Sequence, residues 1–96
     1  MKFTITTFRG DHNCELDDPG VSQMLFEKLV GIREAPLPDE VKTKVPDNFQ
    51  ELEKLWKQGR MGYGGFSVDA EKNMTKLAQF DPNAQEVVML APIGGG

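Results

Sequence analysis

Ninety-six residues, 39% hydrophobic and 27% charged, make one globular domain with a modest core. A net charge of −4 and a pI of about 4.9 argue against broad nucleic-acid binding and against adhesion to anionic membranes, both of which need clustered Lys and Arg. No apolar run approaches the ~18 residues of a membrane span, the start is too polar for a signal peptide, and a single cysteine cannot form an internal disulfide, so a cytoplasmic protein is expected.

In chain order, Phe3, Ile5 and Thr7 share one face of a period-two segment, which predicts a strand over residues 2–8. Arg9-Gly10-Asp11 supplies a turn, with Gly10 suited to positive φ. Residues 12–16 read as the returning strand. Asp18 and Pro19 then read as N-cap and first position of a helix. Its apolar stripe is Val21, Met24, Leu25, Leu29 and Ile32, widened by Phe26 and Val30, and Gly31 ends it.

Residues 33–46 contain Pro36, Pro38 and Pro46 and read as an irregular connection. Asp47 caps a second helical pattern, with Gln50 three residues on as in a capping box. Phe49, Leu52, Leu55 and Trp56 form its stripe, Glu53 and Lys57 pair on its solvated face, and Gly59 ends it. Trp56 is read as a core anchor, with an interface hot spot as the other possibility.

Gly62-Tyr63-Gly64-Gly65 lacks the lysine and hydroxyl of a phosphate-binding loop and reads as a mobile turn. Residues 66–69 alternate as a short strand. Met74, Leu77 and Phe80 fit either a helical turn or an apolar-anchored loop. Asp81-Pro82-Asn83-Ala84 is turn chemistry. Residues 86–90 are nearly continuously apolar, as a central buried strand should be. A hairpin, a helix and returning strands make an α+β domain.

Few constellations suggest catalysis. His12 and Cys14 are the sole residues of their kinds and lie on one face of the predicted strand, but a nucleophilic pair needs an orienting third group and a zinc site needs about four ligands. The 15 acidic residues are dispersed, and Asp17-Asp18 is read as a turn and cap.

The most informative segment is the last one. The strand over residues 86–90 runs into Ala91-Pro92-Ile93-Gly94-Gly95-Gly96. Pro92 restricts φ near the base, and three residues without Cβ make a thin tail that fits a narrow channel. At ~3.3–3.6 Å per extended residue, the six positions reach on the order of 20 Å.

From Phe66-Ser67-Val68-Asp69 to Gly96, the sequence resembles the MoaD/ThiS family of ubiquitin-like sulfur carriers. Val68-Asp69 stands where that family has Val-Asn. Asn83-Ala84-Gln85-Glu86-Val87 stands for its Asp-Gly-Asp-Glu-Val turn, and Ala91-Pro92-Ile93 for its Pro-Pro-Val. The order of elements at the N-terminal hairpin and first helix agrees. Residues 33–65 are longer than such carriers need, and three glycines stand where the family has two.

The resemblance implies an α+β, ubiquitin-like β-grasp over residues 1–90: a mixed sheet, one main helix across it, and an additional helix in an insertion-like connection over 33–65. Residues 91–96 form the tail. It implies a carrier that is itself no enzyme and binds no cofactor. An adenylating enzyme of the ubiquitin-activating type uses ATP and Mg to activate the Gly96 carboxylate, a sulfur donor converts it to a thiocarboxylate, and a sulfur-accepting biosynthetic enzyme takes the sulfur. A metalloprotease that trims the C-terminus is a further expected partner. Ala91, Pro92, Ile93, Gly94 and Gly95 would thread into the partner, and Phe3, Phe66 and Leu90 would form the docking face. Two other readings stay open: a ubiquitin-like modifier conjugated through Gly96, and a non-covalent interaction module such as a phage inhibitor or assembly protein.

Overall fold

The computed structural model describes residues 1–7, 10–33, 35–43 and 62–91. The helix expected from Asp47 to Gly59, Trp56 included, lies outside them, as do Pro92, Ile93, Gly94, Gly95 and Gly96.

Strands β1 (Lys2–Thr7) and β2 (Gly10–Glu15) form the antiparallel hairpin expected from their period-two pattern, in register from Lys2↔Glu15 to Thr7↔Gly10. Gly10 has φ 115°, a conformation that L side chains rarely adopt. The Thr4 hydroxyl donates to Asn13 Oδ1 at 2.6 Å across the pair.

Helix α1 (Pro19–Val30) begins as its sequence dictates. The Asp18 carboxylate accepts the Gly20 N–H at 2.9 Å and Pro19 opens the first turn. It ends at Gly31, whose φ of 88° turns the chain aside while the Gly31 N–H bonds back to the last turn. Val21, Leu25, Phe26 and Leu29 are buried. Ile32, expected in the same stripe, is 57% exposed, because it follows the left-handed residue and no longer shares the helix face. Lys28 is buried in the last turn, where its positive charge complements the negative end of the helix dipole, and Nζ donates to the Ala35 carbonyl at 3.3 Å.

The proline-rich connection is more ordered than its composition suggests. Pro38 precedes a one-turn helix, α2 (Asp39–Lys42), and Leu37 and Val41 are buried in the core. The glycine cluster also departs from the mobile turn expected of it. Tyr63 is buried, with its N–H on the Leu29 carbonyl at 2.8 Å, and Gly64 and Gly65 open strand β3 (Gly64–Val68). A Cβ on Gly65 would stand 2.2 Å from Phe26 Cε2, so the strand passes beneath a fully buried ring only because this residue has no side chain.

A tight turn leads to β4 (Met74–Lys76), a three-residue edge strand where the sequence suggested a helical turn or loop. In the turn, Asp69 Oδ1 accepts the N–H groups of Glu71 and Asn73, each at 2.9 Å. Beyond β4, Leu77 and Phe80 do anchor the following loop to the core, with the rings of Phe80 and Phe26 5.7 Å apart.

Strand β5 (Glu86–Leu90) completes the sheet. Among the described residues the sheet has five strands in the order β2-β1-β5-β3-β4. It is mixed: β5 runs parallel to β1 and antiparallel to β3. Phe3, Ile5, Val87 and Met89 face α1 and are fully buried with Leu25, Phe26 and Leu29. The domain is therefore α+β, with a mixed sheet and one main helix on one face.

Gly65→Ala is expected to destabilise the domain by about 1–3 kcal/mol through overpacking against Phe26, read as a lower midpoint of thermal unfolding. Asp69 tests the turn. Its hydrogen bonds, that from the Asn73 N–H foremost, hold its carboxyl below the ordinary value of 3.8. The charged form is thus favoured by folding, and the turn's contribution is present above that value and lost as pH falls through the lowered one. The amide shifts of Glu71 and Asn73 should titrate together, with a midpoint below 3.8.

Candidate functional site

Strand β5 decides which side chains surround the end of the sheet. Glu86, Val88 and Leu90 lie on the face opposite α1, because Val87 and Met89 face the core. Directly paired residues share a face, so Val88 is flanked there by Thr4 of β1 and Phe66 of β3. Leu90 is flanked by Gly64, which adds no side chain beside it. Phe66 pairs on its other side with Lys76 of β4.

The two ends of this face differ in character. At the Glu86 end, Lys2 and Glu86 are register partners, with Nζ and Oε2 4.0 Å apart. At the Leu90 end the surface is apolar: Leu90 is 37% exposed, and Val88 and Phe66 are half-buried. The chain leaves the sheet at this apolar end.

The exit is held by a hydroxyl. Thr6 Oγ1 donates to the Met89 carbonyl at 3.0 Å and accepts the Ala91 N–H at 2.9 Å. Ala91 is half-buried and packs against the core cluster. It is the one member of the expected tail that belongs to the described residues.

The three expected docking residues separate. Phe66 and Leu90 lie on the face opposite α1, two register positions apart along β5 and β3. Phe3 does not join them. It is fully buried beneath α1, so it belongs to the core. Its parity with Ile5 carried that signal, since both point to the same side of β1. Val88 was missed in the sequence because a continuous apolar run does not reveal which alternate residues face out; the register does.

His12 and Cys14 alternate along β2, opposite Ile5 and Phe3 respectively. Cys14 is suited to be a thiol rather than a nucleophile: burial above all, then the neighbouring Glu15 charge, pushes its pKa up to about 11. Among the described residues no group of three or more His, Cys, Asp or Glu could hold a metal ion, and no helix is long and apolar enough to cross a membrane.

The chain matches no protein-family model, no curated protein and no solved structure.

Cys14 offers a direct check of its surroundings. A rise from 9.0 to about 11 lowers the thiolate fraction at neutral pH roughly a hundredfold. Alkylation at pH 7.5 should accordingly be far slower in the folded protein than in urea, and should accelerate as pH is raised toward the shifted value.

Proposed function

We propose that this protein is a small sulfur carrier with a β-grasp fold, and that its working group is the carboxylate of Gly96. The carrying observation is the position of β5. The strand that continues into Ala91 is the central strand of the sheet, bonded on both sides, so the tail extends from the best-anchored part of the body. The N-terminal hairpin, the main helix on one face and the parallel pairing of the first and last strands are compatible with a β-grasp and support this reading.

The chemistry follows from the weakness of a carboxylate as an electrophile. On a partner of the ubiquitin-activating type, the Gly96 carboxylate attacks the α-phosphorus of Mg-bound ATP and releases pyrophosphate. A hydrosulfide-level donor then attacks the acyl carbon and displaces AMP, leaving a thiocarboxylate. On a sulfur-accepting enzyme the thiocarboxylate sulfur bonds to the acceptor, and water then cleaves the acyl carbon–sulfur bond and restores the carboxylate. The side chains of this protein take no part in the bond changes. Residues 91–96 cross to the partner's active site, and the absence of Cβ at Gly94, Gly95 and Gly96 permits close approach to the nucleotide. The apolar patch of Leu90, Val88 and Phe66 beside the exit is the docking surface.

The test is intact-mass analysis of the native protein before and after incubation with an adenylating enzyme of the ubiquitin-activating type from the same organism, MgATP and a sulfide donor. The expected results are a native chain ending at Gly96, ATP–pyrophosphate exchange that depends on this protein, and a product in which one oxygen is replaced by sulfur. Deleting Gly95 and Gly96 should abolish the product without lowering the unfolding midpoint. Leu90→Glu should raise the KM of the adenylating enzyme for this protein. Isopeptide-linked conjugates in place of the thiocarboxylate, or full biological output after the deletion, overturn the reading.

A further inference from the structure

The contact between Thr6 and the end of β5 does more than close the sheet. The register of β1 and β5 ends at Ile5↔Met89. Its hydrogen-bond phase is set by the first rung, in which the Lys2 N–H bonds the Gln85 carbonyl while Lys2 is paired with Glu86. In a regular parallel ladder a residue donates to the position before its partner and accepts from the position after it. Carried four residues on, this phase would place the Ala91 N–H on the Thr6 backbone carbonyl. It bonds the Thr6 hydroxyl instead, and the same oxygen donates to the Met89 carbonyl. A single side-chain atom thus takes one bond from and gives one bond to β5, at the two backbone groups that flank Leu90.

We propose that Thr6 is a positioning residue: its hydroxyl ends the ladder and fixes the last backbone amide of the body, at Ala91, and so sets the point and heading from which the chain continues toward Gly96. The purpose of this latch rests on the carrier reading; the latch itself does not. The role needs an atom that donates and accepts at once, which restricts it to a hydroxyl. Thr6 is half-buried, so the bonds are partly shielded from water, and β-branching suits its place on the strand. A carrier gains from such a latch because a tail that starts from a fixed amide reaches the partner's nucleotide in fewer orientations.

The test compares Thr6→Val, which keeps shape and loses the hydroxyl, with Thr6→Ser, which keeps the hydroxyl. Amide hydrogen exchange on the protein alone reads the latch. In Thr6→Val, Ala91 should exchange about three- to tenfold faster, the loss expected for one hydrogen bond, while Val87 and Met89 keep their protection. Thr6→Ser should restore the rate at Ala91. Unchanged exchange at Ala91 in Thr6→Val, or equal loss throughout β5, overturns the latch. With the adenylating enzyme, Thr6→Val should lower kcat severalfold and leave KM within about twofold, since docking through Leu90 is untouched. Faster exchange at Ala91 with an unaltered kcat overturns the positioning role. If the wild-type protein is not adenylated at all, the carrier reading fails, and Ala91 exchange still decides whether the latch exists.

Discussion

The structure depends on the parallel pairing of β1 with β5. Without it the sheet separates into two antiparallel parts, the β1–β2 hairpin and the three strands β5-β3-β4. With it, Phe3 and Ile5 from one end of the chain meet Val87 and Met89 from the other beneath a single helix. A parallel neighbour cannot be reached by a tight turn, so the chain between must cross over the sheet. Helix α1 supplies the cover for that crossing, and its length and caps are written in Asp18, Pro19 and Gly31. Thr6 and Ala91, 85 residues apart, are bonded where this pairing ends.

Much of this architecture was legible in the sequence, for reasons that differ by element. The first hairpin and α1 were readable because period-two alternation, an N-cap with proline and a terminal glycine are local signals. The position of β5 was also readable, since an unbroken apolar run suits a strand with neighbours on both sides. Other features depended on contacts that no local pattern encodes. Gly64 and Gly65 have the composition of a turn, yet form a strand because a ring from α1 occupies the space a Cβ would need. Leu37 and Val41 stood in what read as an irregular connection, yet both are buried in the core, Val41 within a single helical turn. Met74 to Lys76 read as part of a helical turn or a loop, because so short a pattern carries no strand signal, and pairing with β3 makes them a strand.

The candidate site divides in the same way. The residues that continue past β5 were conspicuous as a sequence, because Pro and Gly have meanings that do not depend on context. The surface beside them was not, because which of Val87, Val88, Met89 and Leu90 face outward is set by register alone. Phe3 illustrates the general difficulty: its parity with Ile5 groups the two on one side of β1, and the helix lying on that side makes it the core. The Thr6 hydroxyl had no sequence signature, since threonine at that position serves first as an ordinary strand former.

The order of the strands also bears on how the protein is made. Among the described strands the sheet's central member is the last in chain order, so β1–β2 and β3–β4 are synthesised while the gap between them is empty. Until Leu90 leaves the exit tunnel, both flanking strands present an unpaired inner edge next to exposed apolar side chains, a combination that invites association with other nascent chains. The decisive step of folding is therefore the insertion of β5 between strands made before it.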